Sequence, residues 1–584
     1  MAGKSKTKPG ANNEAPAVAD GVEAPGFRLE KIDAIALALI LGFALLLMIR
    51  TGFANGQELW PMPDAVEYAA MSVDIDLHLG PVLHFAGNTY PPRYTIGYPL
   101  ILAAAYPLVG YRPQWLCLAT AFMGLVAIAG LYILALWSFG RPSAIIAAIL
   151  LSTSPHFLGL STAVMSDVPS LAVAILAVLA FLYATENASL IASTLCGILV
   201  GFAIVIRVTN GAILIGMLAA VLLVKPRRLG LGQLICFAIG IAGFPALQAW
   251  ENLRFFGSPL STGYQFWQPV FYGDLSKTFE LQLLFFPLDP TYTHGSLVDY
   301  SLALLGLDGL LGQCALGTED RTLLHSHYAF YPFPVAIFAA LGIFLVLRRN
   351  SGANAMRIIY VGAGFLLASL IIYLPYFYVD PRFFIPTLFA ILAAGAYGLV
   401  YANRTFDSGW KRFAVIALDL IIAIAIAIDA MTRLATPTTH SKLVADVIAM
   451  KPRLKNAIVV SDLSLQWLEL FAGGDGTTFV GLNNFYAAEV VTEYHVHWLY
   501  EKKSPGSPAP PPVLLPSGRL DQHEAQRLSE ADRRGQIVYL LVAMPKTDEW
   551  AHTLEDEFDE IDHSFTHETA VDLPEVGLYV LKPR

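Results

Sequence analysis

The chain of 584 residues is unusually apolar, since 55% of its residues are hydrophobic and 14% are charged, whereas an ordinary soluble domain is roughly 25% charged. This composition excludes a purely soluble protein, and the net charge of −9 argues against a nucleic-acid partner. Residues 441–584 hold 13 basic and 22 acidic residues, and the preceding part holds 24 of each. The acidity therefore belongs to the last quarter of the chain.

The N-terminal segment, residues 1–30, is polar, rich in Ala, Gly and Pro, and carries three lysines. Its first apolar run begins only near Ile32, and no small-residue cleavage site stands out. The segment is therefore predicted to be a disordered cytosolic tail and not a cleaved signal peptide.

Eleven apolar stretches approach the roughly 20 residues that a helix needs to cross a bilayer. They lie near residues 33–50, 115–137, 143–158, 168–185, 189–206, 208–224, 231–250, 331–347, 356–378, 383–402 and 413–432. A twelfth run, residues 94–110, contains Pro99 and Pro107. The basic clusters fall on one side of the membrane, as cytoplasmic loops require, only if this run does not cross, so we expect a Pro-broken helix in the outer leaflet. The N-terminus is then cytosolic, the C-terminus lies outside, and the outer loops are residues 51–113, 159–167 and 251–328.

Beyond Arg433 the composition changes to that of a soluble α/β module, residues 440–584. Strands are predicted at residues 456–462, 477–482, 536–544 and 576–582, and helices at 485–503 and 520–534, with a Pro-rich linker at 504–516. Because strands alternate with helices, the pattern predicts a small, mostly parallel sheet outside the membrane.

Two acidic sites in the outer loops are candidates for chemistry. The segment WPMPDAVEYAAMSVDI places Asp64 and Glu67 three residues apart, so that both carboxylates would share one helix face. Asp167 lies in STAVMSDVPSL, where an outer turn meets a span. In both places a helix cap is the structural alternative. An ionisable group at the membrane edge is costly unless it is paired or functional, so two such groups on one side indicate a shared cleft.

Five arginines lie at the outer ends of the spans: Arg93, Arg207, Arg254, Arg321 and Arg382. Each one alone is typical of a residue whose charged end reaches the interface. Five on the side that the positive-inside rule disfavours indicate an anionic, phospholipid-like ligand, because Arg binds phosphate with two parallel hydrogen bonds.

Two pairs of alternating histidines, His325 with His327 and His495 with His497, match metal-ligand spacing only loosely, and an interface role is favoured. The GGDG segment at residues 473–476 is predicted to be a turn or a helix C-cap, because no phosphate-loop Lys accompanies it.

Six segments then follow one another along residues 30–435: PDAVEYAA, TYPPRYTIGYPLILAA, STSPHFLGLSTAVMSDVPSLAVAILAVLAFLYA, IRVTNGA, ENLRFFGSPLSTGY and PRFFIP. In this order they resemble the GT-C membrane glycosyltransferases, which include the protein O-mannosyltransferases and the lipid A aminoarabinose transferase. The resemblance implies a transmembrane catalytic module, residues 31–435, with about 11 helices and a C-terminal extracytoplasmic α/β domain. It also favours the bacterial inner membrane as the location.

Carried onto this sequence, the resemblance implies that Asp64 is the catalytic carboxylate and that Asp167 is the acidic residue of the second outer loop. Many members have adjacent Asp and Glu in the first loop, whereas this chain has Asp-Ala-Val-Glu, so the catalytic role of Glu67 is open. The donor would be a polyprenyl-phosphate sugar whose phosphate meets Arg382 and, behind it, Arg207, Arg254 and Arg93. Tyr68, Tyr90 and Tyr264, which lie in the same motifs, are expected to contact the substrate.

The expected activity is transfer of a hexosyl or pentosyl group to a lipid, glycan or protein acceptor outside the cytoplasm, with inversion. Asp64 would be the general base, and the arginines would stabilise the departing phosphate. Asp167 would position the acceptor or the sugar, or would hold a divalent cation together with Asp64. A transporter or flippase for the same lipid and a non-catalytic membrane scaffold are the alternatives. The transporter is disfavoured because Asp419 and Asp429 are almost the only charges within the spans.

Overall fold

The computed structural model is a bundle of apolar helices followed by a sheet, as the sequence predicts, and this sheet has five strands, one more than predicted. It describes residues 29–59, 64–85, 88–225, 229–267, 272–273, 275–286, 295–307, 330–349, 352–405, 410, 417, 439–461, 463–474, 476–481, 522–543, 564–574 and 576–584. The predicted N-terminal tail lies almost wholly outside these residues, and so does the Pro-rich linker.

The helices of the bundle are α1 (Lys31–Thr51), α2 (Ala54–Gln57), α3 (Asp64–Asp76), α4 (Gly97–Ala103), α5 (Tyr106–Val109), α6 (Cys117–Phe139), α7 (Arg141–Ser152), α8 (Pro155–Ser161), α9 (Asp167–Asn187), α10 (Leu190–Ile206), α11 (Ile213–Leu223), α12 (Leu231–Phe256), α13 (Gly263–Trp267), α14 (Leu275–Thr278), α15 (Ser296–Leu305), α16 (Phe333–Arg349), α17 (Ala353–Tyr373) and α18 (Leu388–Thr405). Short 3₁₀ helices lie at Pro113–Trp115, Val208–Ala212, Leu281–Leu284 and Pro381–Thr387. Strands β1 (Leu83–Phe85) and β2 (Asn88–Tyr90) form an antiparallel hairpin in the first loop.

Within the described residues, six helices are long and apolar enough to cross a membrane, or seven spans if α7 and α8, which meet at 64°, form one. The predicted spans near 189–206, 208–224 and 331–347 are shorter apolar helices, and most of 413–432 lies outside the described residues. The predicted count of eleven is therefore not confirmed, because an apolar run does not show where its helix starts or stops. The run at 94–110 forms the two short helices α4 and α5.

Helix α9 lies at the centre of the bundle. Its most apolar 18-residue stretch is 83% buried, whereas that of α12, at the periphery, is 11% buried. A central position is expected for a helix such as α9 that is apolar on every side. Helix α12 packs against α10 through Gly197 and Gly201, whose spacing lets two backbones approach closely. A Cβ atom at Gly197 would lie 2.2 Å from the carbonyl oxygen of Phe237.

At one end of the bundle, basic groups bind acidic and amide side chains. At the first turn of α1, Arg141 Nη2 donates to Asp33 Oδ2 at 3.0 Å. At the last turn of α9, Asn354 binds Glu186 and accepts a hydrogen bond from Arg357. Arg141 and Arg357 are among the basic residues that the positive-inside rule predicts to face the cytoplasm. The loop that carries α3 follows the other end of α1, so the acidic site lies opposite to them.

The C-terminal sheet has the strand order β4-β3-β5-β7-β6. Its strands are β3 (Ile458–Ser461), β4 (Thr478–Gly481), β5 (Val538–Ala543), β6 (Phe565–Asp572) and β7 (Val576–Pro583), and its helices are α19 (Thr439–Met450), α20 (Leu465–Ala472) and α21 (Gln522–Arg533). The four predicted strands and the helix at 520–534 are confirmed, whereas 485–503 lies outside the described part of the chain. The expectation of a mostly parallel sheet is wrong: β3 is parallel to β4 and β5, but β7 is antiparallel to β5 and β6. The short connection between β6 and β7 allows only an antiparallel hairpin.

One hydrophobic core joins this sheet to the helix that carries Asp64. Val66 and Met71 of α3 belong to the same cluster of buried side chains as Trp467 and Phe471 of α20. Trp467 Nε1 also donates to the carbonyl oxygen of Glu58 at 3.0 Å. The C-terminal domain therefore packs directly against the loop and helix that position the acidic site.

Candidate active site

A cavity of about 350 Å³ opens at the end of the bundle where α3 and α9 begin. Its volume falls in the range of roughly 300–1,000 Å³ that small-molecule sites occupy. The charged side chains in its lining are Asp64, Arg93, Asp167, Arg207 and Arg382. The structure thus brings both acidic sites and three of the five arginines singled out from the sequence into one cavity.

Asp64, the first residue of α3, uses both carboxylate oxygens in contacts with cavity side chains. Its Oδ1 atom accepts a hydrogen bond from Arg93 Nη2 at 3.3 Å and another from the hydroxyl of Tyr94. Its Oδ2 atom accepts from Arg382 Nη2 at 3.1 Å. Three donors from two distant parts of the chain therefore fix this carboxylate.

The electrostatic environment of Asp64 favours its ionised form. Burial is the largest influence and opposes ionisation, but the charges of Arg382 and Arg93 and the hydrogen bond from Tyr94 together outweigh it. The pKa of Asp64 consequently lies below its ordinary value. The carboxylate is therefore charged at neutral pH and able to accept a proton.

Glu67 lies one turn further along α3 and supports Arg93. Its side chain is 1% exposed and is not part of the cavity lining, and its Oε2 atom lies 3.3 Å from Arg93 Nε. Arg93 thus bridges the two carboxylates of α3, which share a face as their spacing predicts. The buried guanidinium also lies over the Tyr94 ring, 4.6 Å from its centroid.

Asp167 lies in the first turn of α9, after the N-cap Ser166, and is fully buried. Arg207, the residue after α10, donates to its Oδ1 atom. The same guanidinium lies 5.1 Å from the centroid of the Phe383 ring. Tyr68 of α3 donates to Ser166 Oγ at 3.2 Å, which ties the turn of Asp167 to the helix of Asp64.

Arg382 is held on its other side by Asp380. The Asp380 carboxylate caps the 3₁₀ helix Pro381–Thr387 by accepting from the Arg382 backbone N–H at 2.9 Å. Its Oδ2 atom also lies 2.8 Å from Arg382 Nε. Asp380 was not predicted to be a site residue, although Asp followed by Pro is a signal for a helix start.

Tyrosine rings line the rest of the cavity beside Asp64. Tyr94 packs edge-on against Tyr264. The ring centroid of Tyr264 lies 4.9 Å from that of Tyr272, and the hydroxyls of Tyr272 and Tyr376 are hydrogen-bonded to each other. Burial raises the pKa of Tyr94 and Tyr264, so these hydroxyls stay neutral. Tyr94, Tyr272 and Tyr376 were not singled out from the sequence, since aromatic residues at a membrane edge are common.

Other predicted site residues lie elsewhere. The side chain of Arg254 is 51% exposed and is not part of the cavity lining, and its Nη1 atom lies 3.7 Å from Glu251 Oε2. Tyr90 packs against Trp267, also outside the lining, whereas Tyr68 and Tyr264 belong to it. Arg321 and the two histidine pairs lie outside the described residues.

The GGDG segment and the acidic and histidine side chains were the remaining candidates for ligand or metal binding. Gly473 ends α20, and Gly474 and Gly476 have positive φ, which confirms that GGDG is a C-cap and turn. Across the described ranges, no group of three or more His, Cys, Asp or Glu side chains is arranged to hold a metal ion.

Comparison with known proteins agrees with the family indicated by the motifs. Residues 93–249 match the family model described as dolichyl-phosphate-mannose-protein mannosyltransferase. The fold is similar to that of ArnT from Cupriavidus metallidurans bound to undecaprenyl phosphate, with a TM-score of 0.54 and 12% identity over 93% of this chain and 97% of ArnT. For ArnT in the apo state the TM-score is 0.54, with 11% identity over 94% and 98%.

The oligosaccharyltransferase of Archaeoglobus fulgidus in its apo form has a TM-score of 0.49 and 14% identity, over 88% of this chain and 69% of that one. No curated protein matches the sequence. The family match and the likeness to ArnT confirm the resemblance to the GT-C glycosyltransferases, and the chain is an integral membrane protein with the GT-C fold.

Proposed function

We propose that this protein is a glycosyltransferase that moves a sugar from a polyprenyl-phosphate donor to an extracytoplasmic lipid, glycan or protein. The observation that carries the proposal is the ionised Asp64 carboxylate held between Arg93 and Arg382 in a cavity at the end of an apolar bundle. Undecaprenyl phosphate in the ArnT structure, which shares the fold, supports this class of donor.

The arginines of the cavity bind the donor phosphate in this proposal. Arg93, Arg207 and Arg382 line the cavity, and each guanidinium has five N–H donors, more than its carboxylate partners use. Their charge stabilises the polyprenyl phosphate as it departs, when negative charge develops on the leaving oxygen. Arg254 is exposed and is not part of the cavity lining, so the proposal gives it no contact with the donor phosphate.

Asp64 acts as the general base. An acceptor hydroxyl or amine attacks the anomeric carbon, the bond from that carbon to the phosphate oxygen breaks, and the electron pair stays on the polyprenyl phosphate. Asp64 takes the proton of the acceptor. A single displacement of this kind inverts the anomeric configuration and needs no covalent carboxylate intermediate.

The arginines also connect donor binding to the strength of the base. In the free protein Arg382 and Arg93 hold the pKa of Asp64 below its ordinary value, although burial acts in the opposite direction. A donor phosphate that shares these arginines adds a negative charge beside Asp64 and weakens their hold. The pKa of Asp64 then rises, so the base becomes stronger when the donor is in place.

The remaining predicted residues support this arrangement. Glu67 holds Arg93, Asp167 holds Arg207, and Tyr68 and Tyr264 contact the sugar or the acceptor in the cavity. We place the cavity and the C-terminal domain, residues 440–584, on the periplasmic side of the bacterial inner membrane and residues 1–30 in the cytosol. Residues 31–435 form the catalytic module.

The proposal is tested with the full chain reconstituted in lipid vesicles. The vesicles receive polyprenyl phosphates that carry a radiolabelled pentose or hexose, together with cell-envelope lipid, glycan and protein fractions. We expect label to appear on one acceptor fraction with an inverted anomeric bond. Donor binding without transfer to any acceptor contradicts the proposal, and donor movement across the bilayer without transfer identifies a transporter instead.

A further inference from the structure

Among the described residues, Asp380 is a carboxylate that contacts a cavity arginine but takes no part in the proposed reaction. Asp380 touches Arg382 twice, through the backbone N–H at 2.9 Å and through Nε at 2.8 Å. Arg382 in turn reaches Asp64 through Nη2. The three side chains therefore form a row in which Arg382 separates two carboxylates.

Asp380 is itself fixed by its surroundings. Its backbone N–H donates to the hydroxyl of Tyr300 at 3.2 Å. Tyr300 is fully buried and packs edge-on against Phe384 at 4.8 Å between ring centroids. The side chains of Asp380 and Arg382 are only 13% and 12% exposed. The carboxylate is thus a rigid support and not a mobile surface group.

We propose that Asp380 is a positioning residue of the transfer reaction, which holds Arg382 by its Nε edge so that the Nη edge serves Asp64 and the donor phosphate. This inference rests on the proposed function and deepens it. The guanidinium group is planar. An ion pair with Asp380 at the Nε edge therefore leaves the Nη edge to face Asp64.

The charge of Asp380 matters as much as its position. With a carboxylate on each side, the positive charge of Arg382 is shared and does not bind Asp64 alone. Without Asp380, the guanidinium is free to turn and form two parallel hydrogen bonds with Asp64, which is its preferred geometry with a carboxylate. Asp64 would then be a weaker base, and Arg382 would be turned away from the leaving phosphate.

Two substitutions separate this role from simple helix capping. Asp380→Asn keeps the capping oxygen, because Asn caps helices as well as Asp does, but it removes the charge. Asp380→Ala removes both. The matched control is Asp76→Asn, a partly exposed carboxylate at the far end of α3 that binds Tyr111 outside the cavity.

We expect Asp380→Asn to lower kcat between about 10- and 100-fold, the cost of a small misplacement in an active site. The donor KM should rise, because Arg382 then holds the donor phosphate less well, whereas the thermal unfolding midpoint should change little, and Asp76→Asn should match the wild type in both kcat and KM. In the Arg382→Ala background the same Asp380→Asn substitution should have no further effect on kcat, since Asp380 acts through Arg382.

The inference is overturned if Asp380→Asn retains wild-type kcat while Asp380→Ala is merely less stable, since Asp380 is then only a cap. It is also overturned if Asp380→Asn lowers kcat equally with and without Arg382. These outcomes require an active wild type. A wild-type protein that transfers no sugar contradicts the proposed function itself, so the two failures are distinguishable.

Discussion

Arg382 and Asp64, 318 positions apart in the chain, meet at 3.1 Å between Nη2 and Oδ2. The pairing closes the bundle around the cavity, because α3 belongs to the first loop and the 3₁₀ helix of Arg382 leads into α18, the last helix described before the C-terminal domain. It also places a fixed positive charge against the proposed base.

The pH dependence of transfer should differ between the free and the donor-bound protein. The profile of kcat/KM reports groups of the free enzyme and that of kcat reports groups of the complex. Asp64 must be ionised to act, so activity is lost as the pH falls through its pKa. Burial raises this pKa, but the charges of Arg382 and Arg93 lower it by more, so that it lies below the ordinary value. Because the donor phosphate shares these arginines, the acidic limb of kcat should lie at higher pH than that of kcat/KM.

A variant provides the control for this pH shift. Arg382→Gln removes a charge that lowers the pKa of Asp64, so the acidic limb of kcat/KM should move to higher pH. Identical acidic limbs for kcat and kcat/KM in the wild type, or an unmoved limb in Arg382→Gln, would show that Asp64 does not control the rate in this way.

The pair of Asp167 and Arg207 should stabilise the fold as well as shape the cavity. Asp167 is fully buried, so Arg207→Leu leaves an unpaired charge and should cost about 3 kcal/mol. The double variant Asp167→Leu with Arg207→Leu removes both charges and should recover part of this loss. Chemical unfolding in detergent micelles measures the free energies of unfolding of Arg207→Leu, Asp167→Leu and the double variant relative to the wild type. Additive losses in the double variant would mean that the two groups are not coupled.

Trp467 should connect the C-terminal domain to catalysis. Trp467→Phe keeps a ring in the core but loses the hydrogen bond to the Glu58 carbonyl, which should cost about 1 kcal/mol. Trp467→Ala should lower the free energy of unfolding by about 3–5 kcal/mol. It should also lower kcat while changing the donor KM less, because the loop before Asp64 loses its support. Trp250→Ala, at a position 57% exposed on α12, is the control. Wild-type kcat in a folded Trp467→Ala protein would separate the domain from the active site.

Close helix packing at Gly216 should be intolerant of a methyl group. A Cβ atom there would lie 2.1 Å from the carbonyl oxygen of Val361, whereas a Cβ atom at Gly243 meets nothing within 4 Å. Both glycines lie inside helices, where Ala is intrinsically better by about 1 kcal/mol. Gly243→Ala should therefore keep or raise the thermal unfolding midpoint in detergent, and Gly216→Ala should lower it. Equal midpoints would mean that α11 and α17 are not packed this closely.

The order of short motifs carried most of what the sequence could predict about the site. Asp64, Asp167, Arg207 and Arg382 each lie in a segment that resembles the GT-C enzymes, and the cavity contains all four. The partners of these residues were beyond reach, because spacing says nothing of contacts across the bundle. Asp380 is the clearest case, since its role depends on where Arg382 points.

Helix boundaries and the sheet were predicted less completely. The predicted break between 189–206 and 208–224 falls at Arg207 as expected, but the second stretch begins with a 3₁₀ helix, Val208–Ala212, which hydrophobicity alone does not distinguish from an α-helix. Strand β6 was missed because FTHETAVD alternates polar residues with few large apolar ones. It is identified only by its pairing with β7, a tertiary contact.

The most direct test of the central claim compares Asp64→Asn with Asp76→Asn in the vesicle transfer assay. Both variants replace one carboxylate on α3, but only Asp64 lies in the cavity. Loss of the general base should lower kcat by about 10²- to 10⁴-fold in Asp64→Asn, with normal membrane insertion, and Asp76→Asn should match the wild type. Transfer by Asp64→Asn at the wild-type rate would contradict the account.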